Sequence, residues 1–276
     1  MHPSPTPRPP AAAPSFGASL KRWRQQRRMT QIDLAVQAEV SVRHLSFVET
    51  GRSAPSREMV LRLSECLQVP LRERNQWLLA AGFAPMYRER ALADDELAAA
   101  RQAVQRLLTA HEPFPAMALD RHWNIVAANG AVPVILGQPG RPLPERANII
   151  RGCYHPAGLV SRLVNVRRMR AAHVQRLRQQ IEASGDPGLS ALLKELLSYP
   201  EPAEDPSVTP LTSEHEGVAV PFQIRCDEGV LSFLTATTIF GSAFDITLSE
   251  LSMEIFLPAD PFTAEIVPRL VRGASA

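Results

Sequence analysis

Phe16, Leu20 and Trp23 recur at the three- and four-residue spacing of one helix face, and Met59, Val60, Leu63 and Leu67 form a second such stripe. Between them the polar positions punctuate. Thr30 with Asp33 three residues on makes a near capping box. Ser41 and Ser56 can each cap a helix, and Gly51 with Pro55 breaks the chain between those two. Pro70 starts another helix, through Trp77, Leu78 and Leu79, which ends at Gly82. The pattern predicts a compact bundle of five short helices. A further helix over Asp94–His111 is expected to link this bundle to the rest of the chain.

Beyond it the period changes. PAMALD (115–120) and NIVAAN (124–129) are short strand-like runs joined by Arg121, His122 and Trp123. Residues 166–198 hold two helical stretches parted at Ser184–Gly188. VAVPFQIRC (218–226) and VLSFLTATTIF (230–240), separated by Asp-Glu-Gly, form a hairpin signal, and LSMEIFLP (251–258) is a last strand. Strands at both ends with helices between them predict an α+β domain on one antiparallel sheet. The expected organisation begins with a Pro- and Ala-rich disordered tail over 1–14, in which Arg8 could lie near DNA. Then come a helical domain over 15–90, a linker helix over 91–112, the α+β domain over 113–265 and a tail over 266–276.

Charge sharpens the division. The 276 residues carry a net charge of only +2. Residues 1–90 hold 14 Lys/Arg against 7 Asp/Glu, and residues 91–276 hold 16 against 21. Such asymmetry suggests a polyanion-binding head on a differently employed body. Three widely spaced cysteines, Cys66, Cys153 and Cys226, fit a reducing cytoplasm and form no zinc or disulfide framework. No metal or cofactor is expected. No apolar run has the length of a membrane span, and no signal-peptide pattern opens the chain.

Gln31-x-x-Leu34-Ala35 followed by Val40-Ser41-x-x-x-Leu45-Ser46-x-x-Glu49-x-Gly51 is a specific pattern. It spaces apolar residues to cross two short helices over one small core, with Ala35 allowing close approach. It resembles the Cro/C1-type (XRE) helix-turn-helix family over about Phe16–Leu79. The resemblance implies double-stranded DNA as partner, read by the second helix of the motif. It implies that Gln31, Val42, Arg43 and Phe47, with His44 nearby, face the bases. Arg43 is the hydrogen-bonding reader, because a guanidinium can bond guanine O6 and N7 together. Val42 and Phe47 suit thymine methyl groups, though Phe47 could also be a dimer or core contact. Thr50, Arg52 and Arg57 match phosphate-contacting positions. Lys21, Arg22, Arg27 and Arg28 divide evenly between phosphate contact and solvated helix face. Arg24 and Glu49 match a semi-buried architectural ion pair. Glu39 stands where the family has glycine, which demands a left-handed backbone from a residue with a side chain.

Both halves together, through SVRHLSFVETGRSAPSREMVLRL, PLRERNQWLLAAGFAPMY and FPAMALDRHWNIVAAN, resemble the MmyB-like transcription regulators. That implies a PAS-like ligand-binding domain behind the head, with a small pocket for a fatty-acid-like or other apolar ligand. Phe114, Trp123, Leu163, Val164, Phe222, Ile224 and Phe233 could line it or simply fill core, the second being favoured for each. Asn129 and Asn165 could hold a ligand head group or serve as turn and helix-cap residues. No nucleophile elbow, P-loop, dinucleotide fingerprint or zincin motif is present, so no enzyme is expected. Cys153-Tyr154-His155 reads as a chance adjacency. The sequence therefore predicts a ligand-modulated regulator, in repressor form, binding a palindromic operator as a homodimer. The alternative is a protein-interaction module of antitoxin or adaptor type that uses the same helical head.

Overall fold

A computed structural model of the chain describes residues 15–137, 147–201, 220–241 and 243–274. The expected tail over 1–14 with Arg8, the first two residues of the hairpin run, and residues 275–276 lie outside the described residues. The chain divides into two compact units, one up to Arg88 and one from Glu89.

The first unit is five helices: α1 (Phe16–Gln26), α2 (Gln31–Gln37), α3 (Val42–Glu49), α4 (Arg57–Cys66) and α5 (Leu71–Ala80). Each start has a local cause. Ser15, Ser41 and Ser56 accept from backbone N–H groups of the first turns of α1, α3 and α4. Thr30 and Asp33 form a complete capping box on α2: Asp33 N–H donates to Thr30 Oγ1 at 3.1 Å and Thr30 N–H to Asp33 Oδ2 at 2.8 Å. Each end also has one. A left-handed residue follows every helix: Arg28, Glu39 and Gln68 at φ 55°, 53° and 49°, and Gly51 and Gly82 at φ 74° and 86°. The next residue's N–H then bonds back along the helix, as from Met29 to the Arg24 carbonyl and from Val40 to that of Ala35. These are Schellman closures, and three of them are held without glycine.

Leu20, Trp23, Leu34, Ala35, Leu45, Val48, Leu63, Leu67 and Leu78 fill one core between these helices. Phe16 meets Trp77 edge-on at 5.3 Å. The crossing of α1 over the end of α3 depends on Gly17. A Cβ there would stand 2.5 Å from the Val48 carbonyl oxygen and 2.6 Å from that of Glu49.

The second unit is built on five antiparallel strands: β1 (Ala116–Leu119), β2 (Ile125–Ala128), β3 (Phe222–Cys226), β4 (Gly229–Ile239) and β5 (Ser252–Pro258). Their order is β2-β1-β5-β4-β3. Around the sheet stand α6 (Ala98–Ala110), α7 (Ala131–Leu136), α8 (Ile149–Tyr154), α9 (Val166–Ser184), α10 (Pro187–Ser198), α11 (Ile246–Ser249) and α12 (Pro261–Ala274). This is the PAS-like α+β arrangement. Period-two alternation gives the sheet two different faces. Met117, Leu119, Phe222, Ile224, Phe233 and Phe256 join residues of α7 to α10 and α12 in the main core. Ala116, Ala118 and Met253 face the other way, against Val104 and Leu108 of α6.

Two boundaries differ from the sequence expectation. Helix α6 is no free linker, because Val104 and Leu108 are buried on the sheet. The expected tail from 266 continues α12, with Val267 fully buried in the main core. An amphipathic helix that covers a sheet looks, in sequence, like one that bridges domains.

Candidate functional site

In the head, the caps and closures fix the axis of α3, and an ion pair locks it. Arg24 Nε donates to Glu49 Oε1 at 2.6 Å and Nη2 to Oε2 at 3.1 Å, and Nη1 donates to the Met29 carbonyl at 2.8 Å. Gln31 Nε2 donates to Glu49 Oε2 at 2.7 Å. Both charged partners are buried. Both carboxylate oxygens and all three guanidinium nitrogens are used, as a buried pair requires.

With α3 held this way, one strip of it stays open. Arg43 is exposed, Val42 is 38% exposed, and His44 and Phe47 are partly exposed. Phe47 packs with none of the core cluster. Its ring instead lies under the Arg43 guanidinium, 5.4 Å from the centroid. Phe47 is therefore a surface residue that steadies Arg43, one turn away on the same face. Arg52 and Arg57 are exposed just beyond. Thr50 gives its hydroxyl hydrogen to the Ser46 carbonyl at 2.8 Å, so that hydrogen is not offered outward. Arg27 is used internally: its guanidinium donates to the Leu67 carbonyl at 3.1 Å and stacks on Trp23 at 5.2 Å. That geometry closes the end of α4. Arg28 remains exposed on its left-handed turn.

The second unit carries a cavity of about 230 Å³, open on one side, between the sheet, α8 and α9. Its walls are apolar, with Met117, Leu119, Ile149, Met169, Phe222 and Phe256 among them. The β1–β2 turn supplies another wall. Asp120 Oδ1 accepts from the His122 and Asn124 backbone N–H groups, which ties the turn and sets Trp123 at φ 68°. The indole reaches the cavity, and its Nε1 donates to Gln180 at 2.8 Å.

The polar end of the cavity comes from α9 and the strands. Arg176 Nη1 stands 2.7 Å from Glu254 Oε1, with the guanidinium 4.6 Å from the centre of the Trp123 ring. Thr237 donates to the same Oε1 at 2.9 Å. His173 sits beside them, with Nδ1 2.6 Å from the Tyr154 hydroxyl. Burial, helped by the Arg176 charge, pushes the His173 pKa down to about 4, so the ring is neutral at pH 7. Burial also holds Tyr154 far above the usual phenol range and pushes the Cys153 thiol up to about 12. Cys153 is thus a protonated wall residue. His155 turns away from it to meet Tyr199 edge-on at 5.5 Å. The Cys-Tyr-His run makes no nucleophile and base.

Residues 100–270 match the family described as the MmyB-like transcription regulator ligand binding domain, and residues 20–74 match a helix-turn-helix family. The chain belongs to the MmyB-like transcription regulators. No curated protein matches it. It is a DNA-binding transcription regulator with a ligand-binding domain, and both matching families are regulatory rather than enzymatic.

In this MmyB-like regulator the structure sorts the pocket residues expected from sequence. Trp123 and Phe222 line the cavity. Leu163, Ile224 and Phe233 are buried in the main core instead, and Phe114 packs against it. Val164 is partly buried, its backbone N–H bonded to the Gln223 carbonyl. Asn129 is no head-group ligand: its amide donates to the Leu108 and Phe114 carbonyls and accepts from Ala116 N–H. Asn165 donates to the Pro221 carbonyl at 2.7 Å and does not line the cavity. The polar residues that do line it, His173, Arg176, Thr235 and Glu254, were not legible as a set. One signal was present: Glu254 is a lone charge inside an apolar strand, opposite Met117 and on the buried face.

Proposed function

We propose that this regulator is a homodimeric repressor whose operator affinity is set by a small, fatty-acid-like molecule in the cavity. The observation that carries the DNA half is the open Val42–Arg43–Phe47 strip on a helix whose other face is locked in the core. Arg43 reads a base edge. Val42 and Phe47 touch thymine methyls. Gln31, oriented by Glu49, adds a second polar contact. Arg28, Arg52 and Arg57 neutralise phosphates and position the head without reading sequence. One reader helix per chain favours two chains on a palindromic operator, with half-sites about 34 Å apart or a multiple of that.

The cavity supports the ligand half. Its apolar walls and volume of about 230 Å³ suit a short apolar chain. Binding changes regulation only where the ligand prefers one DNA-binding state over the other. An electrophoretic shift against the gene's own upstream region tests the reading. It predicts salt-sensitive, sequence-selective binding and an acyl-type molecule retained in native mass spectra. No DNA shift, with a protein partner co-purifying, would favour the interaction-module reading.

A further inference from the structure

The cavity's polar end carries balanced charge. Arg176 contributes one positive charge, Glu254 one negative, and His173 none at neutral pH. Among the described residues Glu254 accepts a hydrogen bond through one oxygen: Oε1 takes Thr237 and stands nearest Arg176, while Oε2 accepts none. Oε2 is accessible rather than sealed in, and Glu254 lines the cavity. Its nearest approach to Arg176 is at Nη1, and among the described residues Nε and Nη2 donate no hydrogen bond, which leaves them as donors. An occupant therefore meets an open carboxylate oxygen and open guanidinium donors side by side.

A carboxylate head group fits this poorly. It would place a second anion beside Glu254, and like charges at that range repel. The single guanidinium is already neutralised. A head group with one N–H or O–H donor and one oxygen acceptor satisfies both sides without adding charge. The donor goes to Glu254 Oε2 and the oxygen takes a hydrogen bond from Arg176.

We infer that the cavity selects an uncharged amphiphile whose head group both donates and accepts, a primary amide or an alcohol, over the carboxylate of the same chain. The inference rests on the reading that the cavity takes a chain like that of a fatty acid, and it replaces the acid head group of that reading with an uncharged one.

The test is binding of octanamide and octanoate to the full-length protein at pH 7.5, by ligand-observed NMR titration. Octanamide is expected to bind at least about tenfold more tightly. The variant Glu254→Gln removes the resident anion and should shrink or reverse that ratio. Octanoate binding to the wild type as tightly as octanamide would overturn the head-group assignment while leaving the chain-like ligand standing. Failure of both compounds to bind would overturn the two together. The wild-type comparison needs no variant, so it holds even where Glu254→Gln folds poorly.

Discussion

The molecule uses an arginine–glutamate pair twice, and the two differ in what surrounds them. Arg24 and Glu49 in the head share two hydrogen bonds, and their remaining groups go to Met29 and Gln31. Arg176 and Glu254 in the sensor line a cavity, and among the described residues they leave an oxygen and several donors without a hydrogen bond. A closed pair can only hold helices in place. An open pair can recognise a molecule, because its unsatisfied groups are satisfied by whatever enters. Residue identity does not separate architecture from recognition here, whereas counting unused donors and acceptors does.

The sharpest way to break this contrast is to remove one carboxylate from each pair. Glu49→Ala leaves a buried guanidinium unpaired and should cost about 3–5 kcal/mol. Glu254→Ala leaves Arg176, whose side chain is 34% exposed, and should cost under about 1 kcal/mol. Urea unfolding with peptide-resolved hydrogen exchange would locate each loss. Equal costs would show that the two pairs do the same job.

Next in size is the pH response of the sensor. An unfolded chain protonates His173 near pH 6.5, but the folded chain does so only near about 4. Between those values the unfolded state holds the extra proton, so stability falls as pH falls through that window. The ceiling is about 3 kcal/mol. His173→Gln should flatten urea-derived stability between pH 6.5 and 4 relative to wild type. Parallel pH profiles would contradict the burial assigned to the ring.

Within the head the reader and the positioners should separate. Arg43→Ala should cost about 1–3 kcal/mol on the best sequence and little on others. Arg52→Ala should weaken all sequences alike and lower the salt slope by about one. Anisotropy titrations on matched and scrambled duplexes distinguish the two, and equal losses for Arg43→Ala would remove its reading role. The smallest expected effect is a gain. Glu39 occupies a left-handed turn at φ 53° with its side chain largely exposed. Glu39→Gly should stabilise the head by about 0.5–1 kcal/mol in urea melts. Destabilisation would mean that the weak 3.9 Å contact between Glu39 and Arg62 matters more than backbone strain.

The head was legible because its determinants are local. Thr30 and Asp33 cap α2 from three residues apart, and Leu34, Ala35, Leu45 and Val48 fall at spacings a helix pair dictates. Gly17 was missed because its partners, the carbonyls of Val48 and Glu49, appear only once α1 crosses α3. The sensor's strands were legible from alternation, yet its cavity was not. Phe233 and Ile224 look in sequence like Phe222 and Phe256, and only packing decides which of them borders empty space. The polar end joins Arg176 on α9 to Glu254 on β5, a pairing that no local spacing announces.

Sequence reading by α3 is tested most directly by selection of bound sites from a random duplex library with the purified protein. A reader strip on each of two chains should enrich a palindrome with half-sites about 34 Å apart, or a multiple of that. Arg43→Ala should then blur one position in each half. Salt-sensitive binding with no enriched sequence would contradict this, because the exposed strip of α3 would bind DNA without reading it.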